Sequence, residues 1–156
     1  MSTYHARITW SRGSDTFAKQ KYSRGHRWQF DEGVIVPASA SPHVVKAPYV
    51  VTAAVDPEEA LVAALSSCHM LFFLSYVSSA GYIAESYEDA AEGVLEAVPD
   101  GKVMMTHVTL RPVVTFKRKG PSQGEFDAWH HRAHEDCYVA NSVRSKIVVE
   151  GRFVVV

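Results

Sequence analysis

The sequence has almost no excess charge of either sign. Sixteen Lys and Arg stand against seventeen Asp and Glu, a formal net charge of -1. Nucleic acid and anionic membrane surfaces both call for a basic excess, so neither is expected as a partner. The chain opens on a polar, mixed segment with no basic stretch leading into an apolar run. No secretory leader is expected, and a cytoplasmic address is the default. Cysteine is scarce: only Cys68 and Cys137. Where thiols stay reduced, two cysteines point to chemistry or core packing rather than to a structural staple. Nucleophile-elbow, phosphate-loop and dinucleotide patterns are missing. So are internal repeats, linkers and low-complexity tracts.

One segment lacks charge altogether. From Ala60 to Ala84 there is no Asp, Glu, Lys or Arg. That length could cross a bilayer. Five serines (Ser66, Ser67, Ser75, Ser78, Ser79) and His69 interrupt it, and no Lys or Arg flanks it closely, so a buried helix is expected and a membrane span is not. Its start is well marked. Asp56 can cap, Pro57 fits the first helical position, and Glu59 stands where a capping box places it. Ser79-Ala80-Gly81 ends it. A helix apolar on every side needs burial on every side, which in a chain of 156 residues suggests a sheet on one face and a second subunit on the other.

Around this helix the pattern alternates. Strands are expected at 4–10 and 27–31. An irregular connection with Pro37, Pro42 and Pro48 covers 34–55. Two β segments, 88–98 and 102–116, meet at the turn Pro99-Asp100-Gly101. A helix is expected over 126–137 and a last strand over 146–156. Strands, buried helix, strands, helix, strand is an α+β order with a mostly antiparallel sheet, in a single domain over 1–156.

Taken alone, Cys68 in Leu65-Ser66-Ser67-Cys68-His69-Met70 reads as a packed core thiol. Its surroundings say more. Asp56-Pro57-Glu58-Glu59-Ala60-Leu61, followed by Ala63-Ala64-Leu65-Ser66-Ser67-Cys68, resembles the signature of the OsmC/Ohr family, the osmotically inducible protein C and organic hydroperoxide resistance proteins. Cys137-Tyr138-Val139-Ala140-Asn141-Ser142 before a final strand is similar to the second family motif, with Tyr138 where proline is usual.

The resemblance implies an OsmC-like α+β fold: mostly antiparallel sheets around a long buried central helix, in an intertwined homodimer. It implies a peroxidase that reduces organic hydroperoxides. Cys68 would become a sulfenic acid, and Cys137 would condense with it to a disulfide. A dithiol partner, a lipoyl protein or a thioredoxin-like protein, would reduce that disulfide, with no bound cofactor. Glu58 carries over as the family glutamate near the helix start. Burial raises a thiol pKa and only thiolate attacks peroxide, so Cys68 needs a cation beside it. An arginine held by Glu58 suits this role. Arg24, in Ser23-Arg24-Gly25, is the expected residue, with Arg27 and Lys46 as rivals. OsmC and Ohr branches stay open.

Two other classes compete. His130, His134 and Cys137, at i, i+4 and i+7, share one helical face that suits a zinc ion, and His69 adjoins Cys68. The plainer reading of that face is a solvated polar helix, with no metal. A lipid-like ligand bound on the same scaffold is the third class.

Overall fold

The computed structural model describes residues 1–156. They fall into two units, Met1–Ala60 and Leu61–Val156.

The first unit holds a three-stranded antiparallel sheet in the order β1 (Arg7–Thr9), β2 (His26–Gln29), β3 (Ile35–Ala38). The strands expected at 4–10 and 27–31 are present but shorter. β3 corrects the expectation of an irregular 34–55. Pro37 lies within it opposite Arg27. β3 has one strand neighbour, so a residue without an N–H is tolerated there. The Pro37 carbonyl accepts the Val55 N–H at 3.1 Å. Residues 39–55 remain irregular and are tied locally; the buried Ser39 hydroxyl accepts the Val51 N–H at 3.0 Å.

Helix α1 (Pro57–Ser79) starts in the last residues of the first unit. Its expected capping box forms. Asp56 Oδ1 accepts the Glu59 N–H at 2.8 Å, and Glu59 Oε2 accepts the Asp56 N–H at 3.3 Å. Gly81 ends the helix at φ +78°, and the Tyr82 N–H returns to the Val77 carbonyl at 3.2 Å.

The second unit carries two three-stranded sheets. One has the order β4 (Ala84–Asp89), β7 (Pro112–Phe116), β9 (Arg152–Val155). The other has the order β5 (Glu92–Ala97), β6 (Val103–Leu110), β8 (Lys146–Val149). Each strand of one sheet is thus continued along the chain by a strand of the other. The three segments expected as unbroken strands, 88–98, 102–116 and 146–156, each split where the chain changes sheet. β4/β7 and β5/β6 are antiparallel, whereas β7/β9 and β6/β8 are parallel.

Leaving a ladder orphans backbone groups, and a polar seam receives them. Asp89 Oδ1 accepts the Arg111 N–H at 2.6 Å, and its Oδ2 accepts the Ser66 hydroxyl at 2.5 Å. The Glu150 N–H reaches the Leu110 carbonyl at 2.8 Å, and Arg111 Nε donates to Glu150 at 3.1 Å.

α1 spans both sheets with one stripe: Leu65, His69, Phe73 and Val77 are its buried residues. Leu65 packs with Val108 and Leu110. Phe73 and Val77 pack with Val114, Phe116, Phe126 and Ala133. Burying each Leu, Val or Phe of the stripe stabilises the fold by roughly 1.5–3 kcal/mol. The expected all-round burial does not occur within one chain. Leu71 on another face is 64% exposed. By length and composition α1 could cross a membrane, yet its buried stripe serves a folded α+β core. Helix α2 (Gln123–Asp136) starts three residues earlier than expected, because Ser122 and Glu125 form a reciprocal capping box.

Candidate functional site

Two of the sequence-selected residues meet. Cys68 lies on α1, one residue before the buried stripe, and is half-buried. Cys137 is the C-cap of α2 at φ -66° and ψ 110°, and is fully buried. These positions are 69 residues apart in sequence, yet their thiols are close enough to influence one another. Burial, and then the Cys68 thiol, push the Cys137 thiol up to about 11. A backbone donor works in the other direction, since the Ala140 N–H points at Cys137 Sγ over 3.3 Å. An aromatic pair adjoins the thiols: Phe72, one turn after Cys68, meets Tyr138 edge to face at 5.2 Å. Tyr138 is 72% exposed, so the pair stands on the surface.

Glu58 and Arg24 belong to the first unit, Cys68 and Cys137 to the second. Glu58 lies in the first turn of α1, ten residues before Cys68 on one unbroken helix. At about 1.5 Å per residue they are roughly 15 Å apart along the axis, beyond the reach of a glutamate side chain. Neither Glu58 nor Arg24 takes part in a salt bridge. The Arg24 guanidinium donates to the carbonyls of Gln20 (2.8 Å) and Tyr22 (2.6 Å) and to Gln20 Oε1 (3.1 Å), and lies 3.9 Å over the Tyr22 ring. It thereby closes its own loop. Arg27 and Lys46 are exposed.

Histidines form a second group. His69 Nε2 and His130 Nδ1 are 2.9 Å apart, and their rings stack at 5.2 Å with 5° between planes. Phe73 stacks on His130 from another side at 4.1 Å. Burial, followed by the nearby His134, pushes His69 down to about 4; Asp89 acts against this. Burial, followed by His69, pushes His130 down to about 3. Both imidazoles are therefore neutral at ordinary pH. The expected face of His130, His134 and Cys137 does not assemble as a ligand set, because Cys137 is turned to Cys68 and Ala140. The His69–His130 bond joins residues 61 apart on different helices, and no local spacing announces it. Asp89, which ties the sheet seam to α1 and influences His69, was likewise not selected from the sequence.

The chain is thus a two-helix α+β protein with antiparallel-rich sheets and two neighbouring cysteines, one half-buried and one buried. Residues 51–151 match the OsmC-like protein family. A search of curated proteins returns no match. Among solved structures, an OsmC-like protein of unknown function from Vibrio cholerae is 49% identical, covers 97% of this chain and 100% of its own, and superposes with a TM-score of 0.95. An organic hydroperoxide resistance protein from Elizabethkingia anophelis is 16% identical over 100% of this chain and 98% of its own, with a TM-score of 0.71. The organic hydroperoxide resistance protein OhrB of Bacillus subtilis is 15% identical over 98% of each chain, with a TM-score of 0.63. The chain belongs to the OsmC family.

Proposed function

We propose that this protein is a cytoplasmic, cysteine-based peroxidase that reduces organic hydroperoxides to alcohols. The observation that carries the reading is the nearness of two thiols, one half-buried in the interior of α1 and one fully buried at the end of α2. Cys68, the accessible one, attacks the terminal peroxide oxygen. The O–O bond breaks, the alcohol leaves with one proton, and Cys68 becomes a sulfenic acid. Cys137 then attacks the Cys68 sulfur, water leaves, and a disulfide remains. An external dithiol returns both cysteines to thiols and is itself oxidised. Phe72 and Tyr138 give the site an apolar border, which favours alkyl or fatty-acid hydroperoxides over hydrogen peroxide. Two of the structurally similar proteins are organic hydroperoxide resistance proteins, which fits that substrate class.

Purified protein supplied with a dithiol should consume cumene hydroperoxide, with higher catalytic efficiency than hydrogen peroxide. Cys68→Ser should reduce consumption to background. After one equivalent of peroxide, mass spectrometry should find a Cys68–Cys137 disulfide in the wild type and a sulfenic or over-oxidised Cys68 in Cys137→Ser. Full activity in Cys68→Ser would end this reading. An intact dithiol after peroxide treatment would remove Cys137 from the mechanism.

A further inference from the structure

Two hydrogen bonds join α2 to α1. One runs from the Tyr76 hydroxyl to Asp136 and is exposed. The other links His69 Nε2 with His130 Nδ1 at 2.9 Å and is buried. The rest of the attachment is aromatic. Phe73 stacks on His130 and meets Phe126 and Trp129 edge to face. Apolar burial is non-directional and depends on area rather than on register. A hydrogen bond between two buried rings fixes register.

Stability alone does not call for histidines at this contact. Both rings have lost their water, with His69 1% and His130 5% exposed. His130 Nε2 is buried without any partner. An apolar pair of similar volume would give up one hydrogen bond and remove those penalties, an exchange that is near neutral or favourable. The polar pair therefore calls for another reason.

Its place along the two helices supplies one. His69 follows Cys68 directly on α1, and His130 stands two turns before Cys137 on the same face of α2. The Ala140 N–H already holds Cys137 Sγ from its own side, at 3.3 Å. What remains to be set is where α2 lies on α1. A disulfide tolerates little error there, since its Cα atoms have to stand about 4.4–6.8 Å apart.

We propose that His69 and His130 are positioning residues for the disulfide: their bond registers α2 on α1 so that Cys137 Sγ can reach the Cys68 sulfur. The role belongs to the proposed peroxidase cycle and rests on it. In that step the Cys137 thiol attacks the Cys68 sulfenic acid. The S–S bond forms, the S–O bond breaks, and the hydroxyl leaves as water with the Cys137 proton. Neither imidazole exchanges a proton in this step; both act through the helices that carry the thiols.

The test compares wild type with two variants of the whole chain. His69→Leu/His130→Leu exchanges the bonded pair for an apolar one. His69→Gln keeps an amide where Nε2 stood, as a partner for His130 Nδ1. Equilibration with glutathione buffers gives the effective concentration of one thiol at the other, and it needs no peroxide. That concentration should fall about 10-fold or more in the double-leucine variant, because a misplacement of about 1 Å costs on the order of 100-fold. The urea midpoint of that variant should match or exceed the wild-type value. His69→Gln should recover most of the lost effective concentration. With cumene hydroperoxide, Cys68 of the double-leucine variant should be oxidised at the wild-type rate, but its sulfenic acid should persist and pass on to sulfinic acid. A wild-type effective concentration in the double-leucine variant overturns the proposal. So does a fall matched by a lowered urea midpoint without recovery in His69→Gln, which would make the pair a stability element. If wild type leaves cumene hydroperoxide unconsumed while the glutathione result holds, the peroxidase reading fails and the positioning of the thiols stands.

Discussion

At the scale of single residues, the buried imidazoles make a claim on pH. His69 and His130 sit at about 4 and about 3 when folded, below the ordinary histidine value of 6.5. The unfolded chain therefore binds protons in a range where the folded chain does not. Stability contributed by their neutral forms is complete above about pH 6.5 and is lost as pH falls toward the folded values. Each histidine steepens the loss by at most about 1.4 kcal/mol per pH unit. Urea midpoints should be flat from pH 8 to 7 and should fall between pH 6 and 4.5. Proton NMR should show both rings untitrated across pH 8 to 5. Stability that rises on acidification through pH 6 would contradict the burial argument. Neutrality also gives the pair its use, since two neutral rings can share one hydrogen bond without repulsion.

At the scale of elements, close approach replaces charge as the governing term. Gly93 on β5 meets α1 so tightly that a Cβ would lie 2.6 Å from Val62 Cγ2 and 2.7 Å from Met105 Sδ. Met105 can bend away, but Val62 is β-branched and stiff. Gly93→Ala should therefore cost about 1–3 kcal/mol, read as a lower urea midpoint. An unchanged midpoint would mean that α1 is free to shift on the sheet. The same scale explains what the sequence made legible. The start of α1 was readable because a capping box is a local event, written in Asp56 and Glu59. The expected strands over 102–116 and 146–156 contain the right residues, but their breaks at Arg111 and at Glu150-Gly151 were not readable. Apolar alternation runs through those points, and only the Asp89 carboxylate, distant in sequence, accepts the backbone group released at the first. β3 escaped because its edge position, which excuses Pro37, is a tertiary fact. The nearness of Cys68 and Cys137 was implied by resemblance alone, since no spacing rule joins a helix interior to the end of another helix.

At the scale of the molecule, the open faces of α1 matter most. One chain buries a single stripe of a helix that carries no charge from Ala60 to its end. Glu58 is about 15 Å along that helix from Cys68 on the same chain. A second copy, packed with its α1 antiparallel about a twofold axis, would cover the apolar faces and bring each Glu58 toward the partner's thiol site. Subunit mixing tests this. Glu58→Ala and Cys68→Ser proteins, each inactive, should regain about one quarter of wild-type activity when co-refolded, because half of the dimers are mixed and each holds one intact site. Proven mixed dimers without recovery would place Glu58 in its own chain's chemistry or in none.

The seam between the two small sheets has a consequence for how the second unit comes apart. β4 runs on into β5, β6 into β7 and β8 into β9, so every strand of one sheet is the covalent continuation of a strand of the other. Neither sheet can lose a strand without tugging on its counterpart across Asp89, Arg111 and Glu150. Amide protons in β6 and β7 should therefore exchange with solvent deuterium through one shared opening event, at one free energy, although they belong to different ladders.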